Sequence, residues 1–196
     1  MAIERRFARP ILVGHCCSLA LQGNDERQKT IDAVARAGLS VVSLPMCNMF
    51  LQDREAGRTP RWRGVTALHE LKRAGVEVMI ASDNTRDPFY AYGDLDMLEV
   101  FREATRILHF DHSDRPWLRL TGAASAEVMG LADHGRIAVG CAADLVLTPA
   151  RTLPELVCRP HADRAVIVSG RAIDTALPDY RELDHLYVEE RAHARL

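Results

Sequence analysis

Short apolar runs alternate with amphipathic stretches along the first two thirds of the chain. "ILVGH" (11–15) is an apolar run of strand length, and "DERQKTIDAVARAG" (25–38) places Ile31, Val34 and Ala35 at helical spacing before closing on Gly38. "LSVVSLP" (39–45) is a second strand, stopped by Pro45. After a loop rich in Arg, Gly and Pro, "LQDREAGRTPRWRG" (51–64), "VTALHELKRAG" (65–75) predicts a helix ending at Gly75, and "VEVMIAS" (76–82) a third strand. A second long loop, "DNTRDPFYAYG" (83–93), leads into "DLDMLEVFREATRILH" (94–109), a helix with Leu95, Leu98, Phe101, Thr105 and Leu108 on one face. Strand starts recur at intervals of about 30 to 35 residues, the length of a βαβ crossover unit. That repetition predicts parallel strands covered by helices.

The texture changes from about residue 121. "TGAASAEVMGL" is a short helix of small residues, and "GRIAVGCAADLVLTPA" sets Gly135 and Gly140 at turns before the strand "ADLVL". "RAVIVSG" and "RAIDT" follow as short strands across a Ser-Gly turn. The chain therefore divides into an α/β portion, residues 1–132, and a β-rich portion, residues 133–196. The latter ends in a polar segment, "ELDHLYVEERAHARL", expected to be partly helical and loosely held.

Composition narrows the class. At 196 residues, with 47% hydrophobic and 27% charged residues, the chain is long enough to bury a real core. Its 25 Lys and Arg against 27 Asp and Glu leave a net charge of -2, which gives nucleic acid and anionic membranes nothing to attract. The five cysteines, Cys16, Cys17, Cys47, Cys141 and Cys158, lack C-x-x-C spacing and read as reduced thiols of a cytoplasmic protein. Cys16 and Cys17 are expected on opposite faces of a strand. The first ten residues contain no secretory apolar region, and no window is long enough to span a membrane.

Candidate chemistry sits where the apolar runs stop. In parallel α/β barrels functional groups occupy the carboxyl ends of strands, and both His15 and Asp83 fall there. Each has a structural alternative: Asp83 suits a turn or helix cap, and His15 a hydrogen-bonded core-edge histidine. Taken together, and followed by a loop holding Asp87, Pro88, Phe89, Tyr90 and Tyr92, they resemble a pocket rim. Arg58, Arg61 and Arg63 around Trp62 suit an anion grip or a solvated loop; His109 and His112 suit a metal or a polar helix end. His69 is expected at a surface or interface. No glycine-rich nucleotide loop follows a strand, and a nucleophilic Cys16 beside His15 is geometrically poor.

"GHCCSLA", "SLPMCNMFLQDR", "TPRWRGVTALHELKRAGVEVMIASDNTRDPFYAYGDLDMLEVF" and "GLADHGRIAVGCAADLVL" together resemble the C-terminal half of cytosine deaminase and its close relatives in the amidohydrolase superfamily. The strand-end His, the N-x-x-L-Q segment, the S-D-N-x-x-D-P-[FWY] loop and the G-x-I-x-x-G-x-x-A-D-L tail occur in family order, over nearly the whole chain after residue 10. The resemblance implies an α/β fold: part of a parallel (β/α)8 TIM-type barrel, about its last three βα units, plus part of a small C-terminal β-sandwich. It implies one divalent metal, iron or zinc, and a small N-heterocyclic substrate from which water displaces ammonia.

By the same resemblance His15 matches the histidine after the sixth strand that orients the hydrolytic water. Asp83 matches the aspartate after the eighth, which touches the metal and shuttles the proton. Asn84, where cytosine deaminases commonly carry a second aspartate, and Phe89 and Gln52 are the implied substrate-side residues; Gln52 is equally suited to ordering its loop. The family's H-x-H, its ring-reading glutamine and its fifth-strand histidine and glutamate have no counterpart here. Metal is therefore expected to bind weakly or not at all, and the chain to be a truncated polypeptide inactive alone. Its expected partners are a missing N-terminal half or further copies of itself. Asn84 also suits hydrolysis of another cyclic amide or a triazine-like ring, and the missing strands suit a non-catalytic remnant or the complementing half of a split enzyme.

Overall fold

A computed structural model describes residues 2, 4, 7, 9–112 and 116–186. Three parallel strands, β1 (Ile11–Gly14), β2 (Leu39–Ser43) and β3 (Val78–Ile80), form one sheet in sequence order. Ile11 pairs with Leu39 and Val41 with Val78, so all three strands end on one side. Helix α1 (Asn24–Arg36) crosses from β1 to β2; α2 (Pro45–Leu51) and α3 (Leu68–Arg73) lie between β2 and β3; α4 (Met97–Leu108) follows β3. Helix α5 (Ala123–Met129) completes this layer. Strands β4 (Leu145–Leu147), β5 (Ala165–Val168) and β6 (Arg171–Ala172) form a separate antiparallel sheet, with α6 (Leu153–Cys158) between the first two. No helix among the described residues is long and apolar enough to cross a membrane.

The period-2 and period-3.6 patterns locate the core. Val41, Val78 and Ile80 from the sheet meet Ile31, Leu68, Leu71, Val100, Phe101 and Ala104 from the helices in one buried cluster. On α4 the buried stripe runs through Val100, Phe101, Ala104 and Leu108. Leu95, expected on that stripe, precedes the helix and is exposed, because Asp96 caps α4 and sets its start. His69 is half-buried between elements rather than on an open surface. Its Nε2–H donates to the Leu108 carbonyl at 2.6 Å and its ring meets Trp117 edge-on at 4.9 Å, so it ties α3 to the end of α4. Helices α2 and α6 went unpredicted: α2 is a two-turn helix started by Pro45 inside an apolar stretch too short to show a period. Residues 187–196 of the expected C-terminal helix lie outside the described residues.

An ion pair ties the residue before β5 to the start of α4. Arg164 donates two parallel hydrogen bonds of 2.6 Å to the Asp96 carboxylate, which also accepts from the Leu98 amide. Burial pushes the Asp96 carboxyl up, but Arg164 and the helix amides outweigh it and hold the group below the usual carboxylate range.

The connection from α2 to α3 is built around two side chains. Gln52 pairs with both backbone groups of Gly64, donating to its carbonyl at 2.5 Å and accepting from its amide at 2.6 Å. A Cβ on Gly64 would sit 2.8 Å from the Ala20 methyl, so the approach requires glycine. Asp53 accepts from the Arg58 guanidinium at 2.6 Å and from the amides of Arg61 and Trp62. Arg58 and those two amides hold its carboxyl well below the usual carboxylate range. Arg58 is thus consumed inside the loop, while Trp62 stands 77% exposed.

Two outcomes follow from this packing. Phe101→Ala should lower stability by about 3–5 kcal/mol, read from the urea midpoint, because the ring is fully buried. Asp53 has a depressed folded-state pKa, so its contribution is present above the unfolded value and lost only as pH falls through the folded one. Loop amide shifts of Arg61 and Trp62 should accordingly stay flat from neutrality down to about pH 4. Asp53→Asn should accelerate hydrogen exchange at those two amides roughly tenfold at neutral pH.

Candidate active site

The site is set by two residues that leave their strands in a left-handed backbone conformation. His15 directly follows β1 with φ 64°, and Asp83 lies three residues beyond the end of β3 with φ 68°. The region costs a residue with a Cβ on the order of 1–2 kcal/mol, although His and Asp tolerate it better than most. Neighbouring groups hold the bend at His15: its amide donates to the Val42 carbonyl at 3.0 Å, and its carbonyl accepts from the buried Thr66 hydroxyl. Cys16 is left-handed too, with φ 51°, and Cys17 opens a 3-10 turn, so the expected strand placement of the two cysteines is corrected.

These bends turn the two side chains toward each other. His15 Nδ1 lies 3.9 Å from Asp83 Oδ2, with the imidazole 52% exposed and the carboxylate 21%. The sheet brings together, from positions 68 apart, the two residues singled out as catalytic. At 3.9 Å the contact is electrostatic, too long for a hydrogen bond. The hydrogen-bond partner of Nδ1 is instead the Asn48 side-chain amide of α2, at 2.9 Å.

Around this pair lies a polar shelf. Asn84 Oδ1 accepts from the Cys47 thiol at 3.7 Å, and Asn84 Nδ2 donates to Asp87 at 2.6 Å. Asp87 in turn accepts from the amides of Phe89 and Tyr90, each at 2.9 Å, and these partners, Asn84 first, hold its carboxyl below the usual range. The Cys47 thiol is pushed up to about 11, first by burial and then by the Asp83 carboxylate. It stays protonated at neutral pH and serves as a donor rather than a nucleophile. Phe89 stands 63% exposed on the loop that Asp87 folds. Gln52 spends its amide on Gly64, in line with its loop-ordering alternative.

His109 caps α4 in a left-handed conformation, apart from this pair in the chain's order; the side chain of His112 lies outside what is described. Among the described residues no three His, Cys, Asp or Glu groups converge to hold a metal ion. Asp83 offers one carboxylate, and the nitrogen of His15 nearest to it is already engaged by Asn48. The donor set of the described residues does not by itself fit a metal. Asn48, Thr66 and Cys47 carried no assigned role in the sequence; only the N-x-x-L-Q spacing marked Asn48, and burial inside a short helix gave no further signal.

Comparison with known proteins shows what the chain is similar to. The model of the amidohydrolase family matches residues 4–174. A pterin deaminase of Rhizobium rhizogenes is 60% identical over 182 residues, spanning 93% of this chain and 42% of that protein. A 5-methylthioadenosine/S-adenosylhomocysteine deaminase of Pelotomaculum thermopropionicum is 30% identical over 162 residues, 79% of this chain and 31% of that protein. The crystal structure of 5-methylcytosine deaminase from Klebsiella pneumoniae liganded with phosphonocytosine superposes with a TM-score of 0.73 at 27% identity, over 92% of this chain and 44% of that one. The chain spans less than half the length of each of these relatives. With its α/β fold and nearly its whole described length matched, the chain belongs to the amidohydrolase family.

Proposed function

We propose that this chain carries the proton-handling part of a hydrolytic deaminase acting on an amino-substituted N-heterocycle, with a pterin-type ring as substrate. The observation that carries the reading is the convergence of His15 and Asp83 at the carboxyl ends of β1 and β3. The ring class is supported by the 60% identity to a pterin deaminase. A pterin contains a 2-amino-4-oxopyrimidine fused to a pyrazine, so the pyrimidine-like ring expected from the sequence is retained within it. In this reading β1, β2 and β3 are the sixth to eighth strands of a (β/α)8 barrel, and residues 133–186 belong to its small β-sandwich.

Hydrolytic deamination needs a water delivered to the ring carbon that bears nitrogen, a base for its proton, and an acid for the departing amine. Asp83 takes the proton and returns it to the leaving nitrogen; His15 orients the water. Iron or zinc, where present, acidifies such a water. The described residues do not by themselves converge on a metal position. Phe89 supplies an exposed aromatic face for a flat ring, and Asn84 keeps one amide hydrogen beyond the one given to Asp87.

The purified chain alone should release no ammonia from pterin, cytosine or isocytosine above background. Joined to the N-terminal part of its Rhizobium rhizogenes relative, it should deaminate pterin, in preference to cytosine, as followed by ammonia release. In that assembly Asp83→Asn should lower kcat by roughly 10²–10⁴-fold, the range for loss of a general acid–base group. An assembled barrel indifferent to Asp83→Asn refutes the role of Asp83, and one that prefers cytosine refutes the ring.

A further inference from the structure

We infer that Asn48 fixes His15 as the Nε2–H tautomer, making the imidazole a hydrogen-bond donor in the site and leaving Asp83 as the sole proton acceptor of the pair. The catalytic meaning of that donor rests on the deaminase reading above; the tautomer itself does not.

Both sides of the Asn48–His15 contact are held in place. Asn48 lies in α2, its amide bonded to the Leu44 carbonyl at 3.0 Å, and it is only 6% exposed. The backbone of His15 is held at both ends, by Val42 and by Thr66. The imidazole therefore meets Asn48 across a gap that neither backbone is free to change. Asn48 Nδ2 sits 2.9 Å from His15 Nδ1, and a side-chain NH2 only donates, so Nδ1 accepts and the ring proton of the neutral imidazole is on Nε2.

The opposite orientation of the amide fares worse. As placed, Asn48 Oδ1 is buried with no partner. Turning the amide over would satisfy that oxygen through Nδ1–H but bury the NH2 group in its stead. Bare buried N–H groups are rarer in proteins than under-satisfied carbonyls. Asp83 does not claim an Nδ1 proton either, since its oxygen is at 3.9 Å, outside hydrogen-bond range.

The consequence is a division of labour. A neutral imidazole with its proton on Nε2 presents an N–H from the ring edge opposite Asn48, able to hold a water oxygen but not to take its proton. An N–H donor fixed beside a carboxylate gives one site both a donor and a base. Asn48 is thus a positioning residue: it acts on the reaction only through the state of His15.

Histidine-ring 15N labelling of the chain, with two-bond 15N–1H correlation at about pH 8, where an ordinary histidine is neutral, reads the tautomer without turnover. The peak is assigned by its loss in His15→Gln. His15 should show a bare Nδ1 and a protonated Nε2. Asn48→Asp places a carboxylate acceptor against the same nitrogen and should reverse the pattern; Asn48→Ala should average it. His69, whose Nε2–H is held by the Leu108 carbonyl, reports retention of the fold in each variant. A wild-type His15 with its proton on Nδ1, an averaged pattern or a doubly protonated ring overturns the inference. So does an Asn48→Asp chain that keeps the His69 signal and leaves His15 unchanged. Should both variants lose the fold, the wild-type spectrum decides alone. Because no turnover is read, failure here leaves the deaminase proposal standing, and the reverse also holds.

Discussion

The arrangement of the site depends on how the chain leaves β1. Val42 and Thr66 take up the backbone groups of His15 in its left-handed bend, and they come from different elements: the central strand and the approach to α3. The orientation of the histidine is therefore a property of the sheet, set once β1 and β2 are in register and the connection between α2 and α3 is closed. That connection is closed by Gln52 on Gly64 and by Asp53 on the amides of Arg61 and Trp62. A residue far from the chemistry in sequence, such as Gln52, thereby helps to decide where Thr66 stands. Bent backbone of this kind persists only when its surroundings over-determine it, and here they do.

The same logic governs the other wall. Asp83 is bent as His15 is, but the loop after it is ordered from within, through Asp87 gathering the amides of Phe89 and Tyr90 and the side chain of Asn84. Cys47, beside Asn48 on α2, reaches across to Asn84. Helix α2 is consequently the keel between the two walls: Asn48 touches the histidine and Cys47 the segment after the aspartate. Two adjacent helical residues linking opposite walls couple the separation of His15 and Asp83 to the position of one short helix.

How much of this was legible follows from what periodicity can carry. The three parallel strands, α1 and α4 were readable because apolar residues recur at a fixed period over enough turns to be distinguished from chance. Helix α2 was not readable, since "PMCNMFL" is apolar apart from Asn48 and only two turns long, so neither period emerges. The strand-end positions of His15 and Asp83 were visible as places where apolar runs stop. Their left-handed backbones were not, because His and Asp are accepted there without being required, unlike a glycine. Gln52 illustrates a different limit. Its neighbourhood in sequence is a polar loop, and only the approach of Gly64, twelve residues away, reveals that both ends of its amide are spent. The Leu95 misplacement has the same cause on a smaller scale: the helix begins where Asp96 caps it, and a cap outranks a hydrophobic period at the boundary.

What this chain supplies and what it leaves to other groups separate cleanly on physical grounds. Orientation is supplied locally, because it depends on short hydrogen bonds among β1, β2, α2 and two loops, all within the described residues. A metal cage is a different matter, because it needs several donors converging on one point, and among the described residues no three such groups converge. The pair it does hold is poised rather than neutralised. At 3.9 Å, with the histidine nitrogen given to an uncharged amide, Asp83 has no short ion pair among the described residues. A carboxylate locked into a short ion pair, as Asp96 is with Arg164, is held in its charged form and is a poor proton acceptor. The contrast between these two aspartates within one chain, one fastened by a bidentate arginine and one left beside an oriented imidazole, is the contrast on which the proposed role of Asp83 rests.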